Sequence, residues 1–116
     1  MPIKTIFIAH PISGDIQGNA KKVLEICKQV HSKHVVPVVP YLVSLQYLND
    51  KAKEDRDLGI EANLESFRRG YIDELWLSGD HISTGMGQEI RLALELSIPI
   101  IPQTEGTKRD FARFTK

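Results

Sequence analysis

Two stretches decide the fold: Ile72-Asp73-Glu74-Leu75-Trp76-Leu77, and just after it Ser83-Thr84-Gly85-Met86-Gly87-Gln88-Glu89-Ile90. The first is an apolar run from Glu74 to Leu77, short enough for a buried strand. The second opens a helical pattern that continues to about Leu96. A small-residue turn therefore leads from a strand into a helix, with the carboxylate of Glu89 one turn inside. Such a turn leaves backbone N–H groups free to meet an anion.

Working outward, the same alternation recurs. Ile3 to Ala9 is apolar and β-branched and predicts a first strand, followed by the loop His10 to Asp15. Ala20, Val23, Leu24, Ile26, Cys27 and Val30 recur at helical spacing between about Gln17 and Ser32, with Asp15 as a candidate cap. Val35 to Val39 predicts a second strand, at an edge because Pro37 removes a ladder donor. Tyr41 to Leu48 reads as a short helix and the charged Asn49 to Arg56 as an exposed loop. Leu58, Ile60, Leu64 and Phe67 predict a second long helix ending near Gly70, before a third strand, Ile72 to Leu77. Ile98 to Ile101 predicts a fourth strand, and a last helical turn is expected around Phe111.

Strands alternating with helices imply a parallel sheet covered on both faces. The expectation is one α/β domain over residues 1–116, a flavodoxin- or Rossmann-like three-layer fold with four or five strands in the order 2-1-3-4. In such sheets ligands bind beyond the carboxyl ends of the strands, where the order reverses. That point lies between the first and third strands, so the loops His10 to Asp15 and Ser78 to Gly87 should face each other across one crevice.

Composition narrows the partners. Lys plus Arg and Asp plus Glu are both 15, which removes the electrostatic reason to expect a nucleic acid polymer or an anionic membrane. The hydrophobic fraction of 41% is ordinary for a globular chain. Cys27 is the only cysteine, so no disulfide framework or cysteine zinc site forms within one chain. His31, His34 and His81 show no ligand spacing, and neither a metal nor a cofactor is expected. No run is long and apolar enough to span a membrane, and Met1-Pro2-Ile3-Lys4 lacks a signal-peptide layout, so a cytoplasmic protein is expected.

Each candidate side chain has two readings. Ser83, Gly85 and Gly87 either cradle a phosphate or sugar, or serve as the cap and turn of a helix. Glu89 is either a catalyst, favoured in its ionised form by the helix dipole, or a solvated helix residue. Ser13 and Gly14 either hold a ribose or phosphate or form a turn, with Asp15 read as an N-cap. His10 is either a ligand contact or a hydrogen-bonded structural histidine. Arg56, Asp57, Glu61 and Glu65 either reach the crevice or form a solvated face, since Asp57, Glu61 and Glu65 are four apart. Trp76 reads as sheet packing. Tyr41 and Tyr47 read as helix packing, with a base pocket as the alternative.

At these residues the chain resembles the nucleoside 2-deoxyribosyltransferase superfamily, which includes small 2'-deoxynucleoside 5'-phosphate N-hydrolases and uncharacterised relatives. Phe7-Ile8-Ala9-His10-Pro11-Ile12-Ser13-Gly14 is similar to its opening strand and glycine loop. Asp73 to Leu77 resembles its Asp-plus-apolar strand, and Ser83 to Ile90, followed by Ala93, its Ser/Asp-x-Gly-x-Gly-x-Glu-Leu helix start. The resemblance spans Ile3 to Ile101 and implies cleavage of an N-glycosidic bond, or deoxyribosyl transfer, on a nucleoside or nucleotide. It assigns Glu89 as the nucleophile, Ser83 as a 5'-phosphate contact, and Ser13 and Gly14 as sugar-phosphate positions. It also implies a homodimer or higher homo-oligomer. Phe7 stands where the family usually has a tyrosine. For the second acid, ungapped spacing picks Glu65 and the Arg-Asp-Leu context picks Asp57. The resulting expectation pairs Glu89 with Asp57 as catalysts, with Ser13, Gly14, Ser83, Gly85, Gly87, His10, Arg56 and Glu61 binding substrate. A non-catalytic nucleotide-binding or sensing module of the same fold is the alternative.

Overall fold

The computed structural model describes residues 2–114; Met1, part of the N-terminal reading above, lies outside them. The elements follow in the order β1 (Lys4–Ala9), α1 (Ile16–Val30), β2 (Val35–Val38), α2 (Tyr41–Ser44) and α3 (Lys53–Arg68). They continue with β3 (Glu74–Leu77), α4 (Thr84–Glu95), β4 (Ile100–Pro102) and α5 (Glu105–Phe114). The described strands form one four-stranded sheet, β2-β1-β3-β4, with every pairing parallel. The protein is thus an α/β domain of the flavodoxin- or Rossmann-like kind, with helices flanking the sheet.

Burial follows the strand order. The central strands β1 and β3 carry the wholly buried Ile6, Phe7, Ile8, Leu75 and Leu77, as expected of strands covered on both faces. Pro37 pairs opposite Ile6 on the edge strand β2, and Pro102 sits on the other edge, β4. Both edges therefore hold a residue without a backbone donor, which a central strand tolerates poorly. The core continues through Val23 of α1, Phe67 of α3, and Met86, Ile90 and Ala93 of α4.

Several boundaries differ from the sequence reading. Lys53 to Arg56, read as exposed loop, is the first turn of α3. Glu54 and Asp55 lie in that turn, where carboxylates complement the helix dipole. The Asp55 carboxylate also accepts from the Asn49 N–H at 2.8 Å, and Lys53 pairs with Asp57 at 2.8 Å. These charges stabilise a helix start that carries no apolar period. Leu24 and Leu58 lie outside the buried stripes and are exposed. The tail forms a ten-residue helix, Glu105–Phe114, rather than a single turn. Thr104 anchors it: its hydroxyl donates to the Gly79 carbonyl at 2.6 Å, and the Thr107 N–H donates to Thr104 Oγ1 at 3.2 Å.

The order reversal between β1 and β3 brings their carboxyl-end loops together. Gly79 is the junction. It adopts φ +88°, and a Cβ there would stand 2.5 Å from Pro11 Cδ and 3.4 Å from His10 Nε2. A side chain is excluded both by the left-handed backbone and by the neighbouring loop.

Candidate functional site

A cleft of about 790 Å³ opens at the carboxyl ends of β1 and β3. That size suits a small organic ligand. One wall is the β1 loop, His10 to Ser13. A second is the N-terminal half of α4 with the residues before it, His81 to Met86 and then Gln88 and Glu89. The third comes from α2 and α3, including Tyr41, Leu48, Arg56, Asp57, Ile60 and Asn63.

The α4 start is a cap and a cleft wall together. Ser83 Oγ accepts from the Met86 N–H at 3.3 Å, and the Ser83 N–H reaches Met86 Sδ at 3.5 Å. Gly85 opens on the cleft and a Cβ there would meet nothing within 4 Å. Gly87 does not line the cleft: its open face meets the Phe114 ring, 3.4 Å from a built Cβ. The absence of a side chain there lets Phe114 of α5 approach α4.

Glu89 is the central feature. Its residue is 8% exposed, yet it lines the cleft, and its carboxylate forms no hydrogen bond or ion pair with the described residues. Burial alone pushes its pKa up to about 8, so the neutral acid predominates at pH 7. The expectation that the helix dipole favours the ionised form is overturned. Thr84 begins α4, so Glu89 lies beyond the first turn, where the dipole acts most strongly. Desolvation wins. Tyr41, buried on α2, senses this charge. Burial and then the Glu89 carboxylate push the Tyr41 hydroxyl well above its ordinary range. That hydroxyl donates to the Ile8 carbonyl.

The β1 loop faces these groups. His10 Nδ1–H donates to the Pro11 carbonyl at 2.6 Å, since a carbonyl only accepts. Ser13 Oγ donates to Asp50 at 3.4 Å, and Arg56 Nη1 reaches the Asp50 carbonyl at 3.5 Å. Asp50 thus ties the β1 loop to the start of α3 across the cleft. Gly14 takes φ +97° at the loop tip, outside the cleft lining, so it serves the turn and not the ligand. Asp15 caps α1, accepting from the Gly18 N–H at 3.1 Å.

The acids of α3 separate cleanly. Asp57 lines the cleft, paired with Lys53. Glu61 points away and pairs with Arg68 at 3.1 Å, and Glu65 pairs with Arg69 at 2.9 Å. Neither lines the cleft, so of the two candidate second acids Asp57 is the one that stands at it. Each four-residue step turns about 40° further round the helix, which carries Glu61 and Glu65 away from the face of Arg56, Ile60 and Asn63 that lines the cleft.

The sequence reading missed Asp50, Asn63 and Gln88 as cleft residues. Asn63 lies seven residues after Arg56 on α3, with Gly59 and Ile60 between, a helical-face spacing that would have found it. Asp50 and Gln88 carry no such signal. Among the described residues no group of three His, Cys, Asp or Glu is placed to hold a metal ion, and no helix is long and apolar enough to cross a membrane.

Neither a curated protein nor a solved structure matches the chain. The family described as Domain of unknown function (DUF7768) matches residues 4–102, from β1 to the end of β4 and including every cleft element named above. The chain belongs to the DUF7768 family.

Proposed function

We propose that the cleft binds a nucleoside or its 5'-monophosphate and cleaves the N-glycosidic bond, by hydrolysis or by deoxyribosyl transfer, with Glu89 as nucleophile. The observation that carries this reading is the Glu89 carboxylate: buried, opening on the cleft and without a partner in the chain. Burying an ionisable group unpaired destabilises a fold, and such groups cluster at functional sites. The resemblance of Ser83 to Ile90 to the nucleoside 2-deoxyribosyltransferase superfamily supports the same role.

The chemistry runs in two displacements. Glu89 first loses its proton to solvent through the open cleft. One carboxylate oxygen then attacks the anomeric carbon as the C–N bond breaks, and the base leaves with the electron pair. Asp57, at the cleft, assists departure by protonating or hydrogen-bonding the base. Water or a second base then attacks the glycosyl ester, and Glu89 returns as a carboxylate. Ser83 and Arg56 supply donors for the sugar or a 5'-phosphate, with the N–H groups of the α4 start beside them, while His10 Nε2 and Ser13 Oγ accept from sugar hydroxyls.

A non-catalytic nucleotide-binding module is the second reading, and one observation favours it: Asp57 is half-exposed and held by Lys53 at 2.8 Å. Base release from a panel of nucleosides and 5'-monophosphates separates the two. The enzyme reading expects free base, lost in Glu89→Ala. Binding without base release favours the module. If no member of the panel raises the melting temperature, both readings fail.

A further inference from the structure

The segment from Leu77 to Gly87 runs from the end of β3 through the cleft loop into α4, and α5 with the turn before it braces this segment. Thr107 Oγ1, wholly buried, reaches the Leu77 carbonyl at 3.3 Å. Thr104 Oγ1 donates to the Gly79 carbonyl at 2.6 Å. A Cβ on Gly106 would overlap the Asp80 carbonyl oxygen, so the missing side chain is what lets α5 lie against that backbone. Asp110 Oδ2 accepts from the Ile82 N–H at 3.0 Å. Phe114 covers Gly87, and the Arg91 guanidinium stands 5.7 Å from the centre of its ring. Among the described residues, none from 105 to 114 lines the cleft. These contacts therefore act on the cleft wall and not on a ligand.

Asp110 differs in kind from the other braces. Its side chain is only 19% exposed. The Ile82 N–H, more than any other favourable contact, holds its carboxyl below the ordinary carboxylate range. The bond thus joins a charged acceptor to a backbone donor, which is the stronger class. Water could satisfy that N–H too, but water would not fix its direction. Ile82 immediately precedes Ser83, the N-cap of α4, so the bond sets where and at what angle the helix begins. The segment so placed carries His81, Ser83, Thr84, Gly85 and Glu89 to the cleft. We infer that Asp110 is a positioning residue of the cleft, which through the Ile82 N–H places the start of α4 and the ligand-facing groups on it. This assignment goes beyond the nucleoside reading, because it concerns what fixes the wall whichever ligand the cleft takes.

The test compares Asp110→Ala and Asp110→Asn with Asp15→Ala in the full chain. Asparagine keeps an acceptor oxygen for the Ile82 N–H. Asp15→Ala removes the α1 cap and controls for general loss of stability. Amide hydrogen exchange on the free protein is the first readout. The Met86 and Gly87 N–H groups bond to Ser83 Oγ and to the Ser83 carbonyl, so they report on the α4 start. Both should exchange about tenfold faster in Asp110→Ala, and close to the wild-type rate in Asp110→Asn. Faster exchange confined to Ile82 and α5 would overturn the inference. The second readout is base release from nucleoside 5'-monophosphates, well below the melting temperature. Here kcat/KM should fall about tenfold in Asp110→Ala, recover in Asp110→Asn and stay unchanged in Asp15→Ala. An unchanged kcat/KM in Asp110→Ala would overturn the inference, and so would an equal loss in Asp15→Ala. Should Asp110→Ala fail to fold, Asp110→Ser, polar but one atom shorter, takes its place with the same expectations. If the wild type releases no base, the nucleoside reading fails and the exchange comparison alone decides the role of Asp110.

Discussion

The rings of Phe7 and Tyr41 lie 5.9 Å apart, centroid to centroid, tilted at 44°. Phe67 meets Phe7 as well, at 4.8 Å. Phe7 is wholly buried in this aromatic group and offers no polar atom, while Tyr41 brings a hydroxyl from α2 into the same layer. That hydroxyl donates to the Ile8 carbonyl and lies close enough to Glu89 to sense its charge. Where the superfamily that the sequence resembles has a tyrosine on its first strand, this chain has a phenylalanine, and the phenol beside the carboxylate comes from a helix instead.

Tyr41→Phe isolates the hydroxyl. The ring and its contacts with Phe7 remain, and one buried hydrogen bond to a backbone carbonyl is lost. Stability should fall by about 1 kcal/mol, with the Ile8 carbonyl left unpaired. Tyr41→Ala should cost roughly 3–5 kcal/mol, because it also leaves a cavity. Urea denaturation measures both. A Tyr41→Phe midpoint equal to wild type would mean that the hydroxyl contributes nothing.

How much of this was legible in sequence depends on what each feature needs. β1, β3 and the α4 start were readable because short apolar runs and a small-residue turn act locally. Right-handed crossovers restricted the topology, and the order 2-1-3-4, taken as the simplest choice, is the one observed. The start of α3 was not, since Lys53 to Arg56 form a helix through charge pairing and dipole complementarity without an apolar period. Glu89 was readable as a candidate but not in its protonation, because its burial depends on how α4 packs into the fold. The packing of Gly87 was not readable because its neighbour, Phe114, lies on a helix whose length the sequence did not disclose.

The raised pKa of Glu89 makes stability depend on pH. The folded state holds this proton up to about pH 8, whereas an unfolded glutamate releases it near 4.5. Between these values the folded state binds more protons, so stability falls as pH rises. The full effect is present below the unfolded value and is lost as pH climbs through about 8. The shift corresponds to about 5 kcal/mol. Glu89→Gln removes the titration, so its melting temperature relative to wild type should climb from pH 5 to pH 8 and level off above. A constant difference across that range would show that Glu89 titrates normally.

In the proposed reaction the same proton acts in the opposite sense. Only ionised Glu89 attacks, so kcat/KM for base release by the free enzyme should rise tenfold per pH unit below about pH 8 and then flatten. Activity and stability should therefore trade against each other over one pH window. A kcat/KM profile flat from pH 6 to 9 would remove Glu89 from the nucleophile's role.

Gly18 and Asp15 should behave as one unit. A Cβ at Gly18 would lie 2.2 Å from Asp15 Oδ2, the carboxylate that caps α1. Gly18→Ala must displace the cap, even though alanine favours a helix more than glycine. Asp15→Ala should cost about 1 kcal/mol. Gly18→Ala should cost a similar amount in the wild-type background but should stabilise by about 1 kcal/mol once Asp15 is alanine. A double-mutant cycle by thermal or urea unfolding reads this sign reversal. Additive effects would show that the cap survives the added methyl.

Asp57 and Glu65 share a helix face but not a cleft. Asp57 lines it, while Glu65 is drawn off by Arg68 at 3.6 Å and Arg69 at 2.9 Å. Asp57→Asn should lower kcat for base release by about 100-fold, the lower end of what a positioned acid contributes. Glu65→Gln should leave kcat and KM unchanged and cost no more than about 1 kcal/mol through its exposed ion pairs. Lys53→Ala distinguishes a held acid from a free one. Lys53 pairs with Asp57 at 2.8 Å, and releasing that carboxylate should change kcat without abolishing turnover. Loss of activity in Glu65→Gln with Asp57→Asn unaffected would reverse the assignment.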